Sequence, residues 1–366
     1  MPISPPVSAP VNLGGQNNRS KEVSRRRAHE ESLADITVGF STALDLMRAL
    51  DPMASARLRR GSRPTPPITP QPDAELRLWA DEGGDANDWV FRGQSKASWG
   101  LVPAALRPGS APLRANPSSL AAIRASEWSV VASLLEQSES FAVSSNVSSL
   151  LGRLAAPKPA AAKTKKRSEA TPAGAWSLEG QAWPDPELRE LMLVAAHNGL
   201  PTRLLTWSQS PFVAAWFAAA GAALSLQERL PEDFAIWAVR RRRPNGAGVF
   251  EGAGLDEISA PRNVGGSMRA QSVRATVSPI PAADAEAAWT PANAENDQSG
   301  AILATARAAG VHPWHSVRRF TLPAAEAFTL LGLLAETGTT GPNLMPGWDG
   351  LRAAIELQLG AQQRSV

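Results

Sequence analysis

The sequence contains no cysteine and no tyrosine, and only four histidines among 366 residues. Without thiols there is no disulfide, no thiolate nucleophile and no zinc site of the thiolate kind. Without tyrosine there is no phenolic general acid. The histidines, His29, His197, His312 and His315, are scattered. The pair at 312 and 315 lacks a third ligand and is read as a turn, so no metal site is expected. Long apolar runs are also missing. The most apolar stretch, Phe212 to Leu224, has 13 residues, short of the roughly 20 a membrane-spanning helix needs, and it is read as a buried helix. The opening MPISPPVSAPVNLGG has neither the basic start nor the apolar core of a secretory signal. These absences point to a cytoplasmic protein with no membrane segment.

What is present fits an ordinary globular chain, with 43% hydrophobic and 19% charged residues. The pI of about 9.7 accompanies a net charge of only +3. With no cysteine or tyrosine to titrate, a small positive excess moves the pI far upward, so the pI is no evidence for a nucleic-acid partner. The length allows one large domain or two small ones.

Residues 1–34, rich in proline, serine, asparagine and arginine, read as a disordered N-terminal tail that includes the Arg25–Arg27 triplet. Ile36, Phe40, Leu44 and Met47 recur at helical spacing and predict a helix over 36–50. Five prolines in 61–73 make that stretch a loop. Asp88 to Arg92 reads as a strand and Pro117 to Glu136 as a helix. Residues 156–175 form a low-complexity, Lys-rich insertion, with Lys158, Lys163, Lys165 and Lys166. Asp185 and Pro186 predict a helix start that Gly199 ends. Ser210-Pro211 starts the apolar helix over 211–225. Phe234–Val239 and Val317–Leu322 read as strands, with Arg240–Arg243 as a strand exit or a basic rim. Pro323 opens a helix to about Glu336, and Asp349 caps a last helix to Leu359, with 361–366 as a C-terminal tail. Helices and strands mix without regular βαβ alternation, which predicts an α+β class: a single mixed domain over 35–360 with a small central sheet flanked by helices.

Three segments stand out. The first is Trp89-Val90-Phe91-Arg92-Gly93-Gln94-Ser95, followed by Trp99, Leu101, Pro103, Leu106 and Arg107. The second runs from His197-Asn198-Gly199-Leu200-Pro201-Thr202-Arg203-Leu204-Leu205 through Thr206, Ser208 and Ser210 into Ala214 and Phe217. The third is Asn343 to Leu351. An arginine ending a buried strand, with glycine next, sets a fixed guanidinium beside an open backbone. Such a group binds phosphate or carboxylate in a two-pronged way, or pairs with an internal carboxylate. Gly93 lets a ligand or another chain come close. Thr206, Ser208 and Ser210 alternate and could line one face; Ser210 also suits a helix N-cap. His197, at a helix C-terminus, suits a capping histidine as well as a catalytic one. Arg203 suits an ion pair or an anion ligand equally.

Together the three segments resemble the FRG-domain family, named for its Phe-Arg-Gly motif. A second resemblance is to ADP-ribosyltransferases, which place an arginine in a Phe/Tyr-Arg-Gly strand, then a Ser/Thr-rich strand leading into an AxxF helix, then a catalytic glutamate. That resemblance implies Arg92 and the Thr206, Ser208 and Ser210 hydroxyls as groups that hold NAD, a candidate substrate, and Gln271 at the catalytic carboxylate's place. Taken with the motif segments, it makes Arg92, His197 and Gln271 the candidate catalytic positions and Gly93, Gln94, Arg203, Thr206, Ser208 and Ser210 the candidate substrate-binding positions, with no resident cofactor. Two departures matter. Thr206 stands where FRG relatives commonly carry aspartate. Gln271, in Ser267–Ala275, stands where the transferase glutamate would fall, and Glu251 and Glu257 are the nearby carboxylates. The family resemblance implies a bacterial toxin or phage-defence setting. The alternative reading is a non-enzymatic nucleic-acid or protein-binding module using the 158–167 and 240–243 basic runs. No GxGxxG, GxxxxGK, GxSxG or HExxH pattern is present.

Overall fold

The computed structural model describes residues 31, 33–51, 88–107, 120–140, 183–186, 188–227, 232–241, 248–260, 266–280, 297–310 and 312–363. Most of the proposed N-terminal tail, the proline-rich loop, the Lys-rich insertion and residues 364–366 lie outside these.

The architecture is α+β, with one mixed sheet between layers of helices. Its strands are β1 (Thr37–Gly39), β2 (Trp89–Gln94), β3 (Leu205–Ser208), β4 (Phe234–Arg240), β5 (Asp256–Ser259), β6 (Val273–Val277) and β7 (Val317–Leu322). They lie in the order β1-β7-β4-β2-β3-β6-β5. Only the edge pair β1–β7 is parallel. The centre is β4, buried along its whole length, as its near-continuous apolar run Phe234–Val239 demands. β2 pairs with β4 from Trp89–Arg240 to Gln94–Ala235. With β3 it shares one residue pair, Phe91 opposite Ser208. That junction is a seam across the middle of the sheet.

The helices are α1 (Ala43–Leu50), α2 (Leu120–Ser140), α3 (Arg189–His197), α4 (Pro211–Leu224), α5 (Val249–Gly252), α6 (Gly266–Ala270), α7 (Gln298–Ala308), α8 (Ala327–Glu336), α9 (Gly341–Leu344) and α10 (Trp348–Gln363). On one face of the sheet α1, α4 and α8 pack on Phe91, Ile236, Ala238 and Phe320. On the other face Val90, Trp207, Trp237 and Val317 meet Phe250 and Ile302. A third cluster joins α2 and α3 to β5 and β6 through Val131, Leu191, Ile258 and Ala275.

Several sequence expectations shift. The helix expected over 36–50 is a 3₁₀ turn (Ala34–Ile36), then β1, then α1. Its helical spacing is overridden because Thr37–Gly39 finds an edge to pair with in β7. The Asp185-Pro186 start does not cap α3. The residue before that helix is Leu188, with no side-chain cap, and Asp185 instead accepts the Leu188 amide in a turn. Gly199 does end α3, with φ +82°. Its amide bonds to Ala196 and that of Leu200 to Ala195, the double closure that exploits a left-handed glycine. Ser210 caps α4, accepting from the Val213 amide at 3.4 Å. Asp349 lies inside the first turn of α10, which runs on to Gln363 and takes in residues 361–363 of the expected tail. Arg240 is 3% exposed beside the Trp89 ring, and Arg241 pairs with Glu257 at 2.7 Å, so neither belongs to an exposed basic rim. Arg242 and Arg243 lie outside the described residues.

Candidate functional site

Alternation along β2 sends Trp89, Phe91 and Gly93 toward α4 and leaves Val90, Arg92 and Gln94 on the other side. The space above Gly93 is taken. A Cβ there would stand 1.9 Å from the Ala214 carbonyl oxygen and 2.8 Å from the Ala218 amide nitrogen. The alanine-rich face of α4 thus lies directly on β2, and the chain that Gly93 admits is this helix. Gly221, one turn further, meets Ser95 in the same way, with a Cβ 2.6 Å from that of Ser95.

Arg92 sits beside the seam. Its Nη1 donates to the Thr206 carbonyl at 2.5 Å and to the Thr206 hydroxyl at 3.1 Å. Past the single Phe91–Ser208 pair, this side chain connects β2 to β3. Its Nε is buried with no hydrogen-bond partner, and among the described residues no carboxylate pairs with it. Its pKa is pulled down to about 9, first by burial and then by the charge of Arg107. A buried guanidinium with an unpaired N–H and, among the described residues, no carboxylate against it carries a desolvation cost, whereas Arg107 is exposed to solvent. The pKa of Arg107 is itself lowered by partial burial, and its Nε donates to the Val102 carbonyl at 3.1 Å. In register, Arg92 lies opposite Trp237, and Trp237 opposite Arg319, whose guanidinium stands 5.9 Å from the Trp237 ring centre.

The segment 95–107 that carries Arg107 is held at several points. Gln94, buried, donates through Nε2 to the Gly100 carbonyl at 3.0 Å. Asp297 accepts the Leu101 amide at 2.7 Å and also caps α7 through the Ser299 amide at 2.9 Å. A Cβ on Gly100 would fall 1.9 Å from the Asp297 carboxylate. The Ala105 amide donates to the Thr202 carbonyl at 3.1 Å, tying this segment to the one before β3.

Arg203 points elsewhere. Its amide and Nε donate to the two oxygens of Glu127 at 2.5 and 2.9 Å, and its Nη1 to the Ser278 carbonyl at 2.7 Å. Glu127, 1% exposed, also accepts the Trp183 indole N–H at 2.7 Å. Arg203 is therefore the partner of an internal carboxylate. Glu127 had a signal in the sequence: it sits between Ile123 and Val131 at four-residue steps, a charge in the core-facing stripe of α2.

The remaining candidates divide among three places. His197 ends α3, its Nε2 3.0 Å from the Ser267 hydroxyl, and burial lowers its pKa from the usual 6.5. The Ser208 hydroxyl donates to the Gln271 carbonyl at 2.7 Å and accepts the Ser210 amide at 2.9 Å, while the Ser210 hydroxyl is spent on the α4 cap. Gln271 lies in the turn between α6 and β6 and donates through Nε2 to the Leu344 carbonyl at 3.1 Å. Of the alternating hydroxyls, only Thr206 contacts Arg92. Two tryptophans of the motif segments, Trp99 and Trp348, are 46% and 85% exposed. What the structure brings together at the seam is Arg92 and Thr206, through the carbonyl and the hydroxyl.

No helix among the described residues is long and apolar enough to cross a membrane. A family model described as the FRG domain matches residues 87–225, which hold the first two of the three motif segments. No curated protein and no solved structure matches the chain.

Proposed function

The chain carries an FRG domain at residues 87–225, and from that premise we propose that this domain binds a nucleotide-like anion, NAD or a related diphosphate, at Arg92. The observation that carries the proposal is the uncompensated charge of Arg92: a buried Nε without a partner, no carboxylate against it among the described residues, and Arg107 close enough to lower its pKa. A phosphate accepts from a guanidinium fork and offsets both cations. Thr206 offers a hydroxyl to the same ligand.

Binding is favoured over transfer. The ADP-ribosyltransferase-like chemistry needs a carboxylate to stabilise the developing positive charge as nicotinamide leaves. Gln271 has none, and its amide is committed to the Leu344 carbonyl. A toxin or phage-defence role is compatible with an NAD-binding domain and rests on the family resemblance alone. Of the two basic runs behind the alternative, residues 158–167 lie outside the described residues, and in 240–243 the described Arg240 and Arg241 are engaged within the fold.

Thermal melts with NAD, ADP and pyrophosphate test the reading. At about ten times Kd, a ligand should raise Tm by about 2–4 °C, and Arg92→Met should abolish the rise. The same NAD samples, assayed for released nicotinamide, separate binding from turnover. If none of the three ligands shifts the wild-type melt, the proposal fails.

A further inference from the structure

The last helix, α10, packs its inner side on the body through Ala353, Leu357 and Gly360. Its solvent-facing side carries an apolar stripe, which is unusual for a helix at the surface. Trp348, Leu351, Ile355 and Leu359 are 85%, 44%, 48% and 53% exposed. At about 3.6 residues per turn they form one continuous stripe. One flank of the stripe carries Arg352 and Glu356, an exposed pair with Nε and Oε1 3.9 Å apart.

We propose that this stripe is the contact surface for a second copy of the chain, two α10 helices packing antiparallel about a two-fold axis near residues 353–354. The pattern is self-complementary in both shape and charge. Reversal about that axis sets Leu351 on the partner's Ile355 and Trp348 on the partner's Leu359. A two-fold of this kind keeps each flank against its own copy. Arg352 therefore meets the partner's Glu356, and Glu356 the partner's Arg352. A face meant for an unrelated partner has no reason to reverse onto itself in both respects. One helix face is smaller than a standard stable interface, so the dimer should be reversible, with a dissociation constant in the micromolar range.

Sedimentation equilibrium of the full chain from about 1 to about 200 µM, a span that brackets such affinities, should show a monomer–dimer equilibrium. Ile355→Asp should leave a monomer at every concentration with an unchanged thermal melt, because the residue is exposed. Arg352→Glu, with two acids on the flank, and Glu356→Arg, with two bases, should each weaken self-association by about tenfold. An equimolar mixture of these two variants should associate at least as well as wild type, since opposite flanks then face each other. The intrahelical pair is broken in both variants, so recovery on mixing reads only the contact between helices. A wild-type monomer throughout the range, dimerisation that survives Ile355→Asp, or no recovery on mixing would overturn the proposal.

Discussion

Two arginines that look alike in the sequence carry opposite loads. Arg203 answers a buried carboxylate and holds α2 to the segment before β3, whereas Arg92 answers only a carbonyl and a hydroxyl. Arg203→Met strands Glu127 and should cost about 3–5 kcal/mol in urea unfolding. Arg92→Met removes an uncompensated cation along with its hydrogen bonds, so the loss should be no more than about 1 kcal/mol. If Arg92→Met proved as damaging as Arg203→Met, Arg92 would be a structural clamp and the anion site would lose its basis. The sequence alone could not separate the two, because the deciding partner, Glu127, lies 76 positions from Arg203. Long-range pairing of this kind leaves no local mark beyond a charge in an apolar stripe.

Elements were legible where local chemistry agrees with the tertiary setting. Ser210-Pro211 marks the start of α4, and Gly199 the end of α3, because caps and left-handed glycines act within a few residues. Asp185-Pro186 misled because an equally good start signal was spent on a turn ahead of α3. The 36–50 periodicity misled because pairing with β7 outweighed helix propensity over three residues. The Phe-Arg-Gly motif also acquires a two-sided meaning at this scale. Its arginine spans the seam, while its glycine lets α4 rest on β2. Gly93→Ala would drive a methyl into the α4 backbone and should destabilise by about 3 kcal/mol, against about 1 kcal/mol for loss of the cap in Ser210→Ala. Chemical denaturation of both variants checks the order, and a Gly93→Ala variant no worse than Ser210→Ala would contradict the contact.

At the scale of the molecule, the α+β class followed from the mixture of patterns, but the strand order did not, since no local signal sets β7 between β1 and β4. The seam is the feature of that order with the widest reach. Six residue pairs join β2 to β4, and one joins β2 to β3. The sheet should therefore not open as a unit. Backbone amides of β4 should exchange with deuterated solvent only on global unfolding, while those of β3 should exchange through a cheaper, partial opening of the β3-β6-β5 half. Hydrogen-exchange mass spectrometry should show the gap between the two widen in Arg92→Met, which loses the side chain that spans the junction. Equal protection of β3 and β4 would mean that α4, lying across the junction, makes the two halves one cooperative body. On that expectation the seam makes the site of an arginine a boundary between regions that breathe on different timescales.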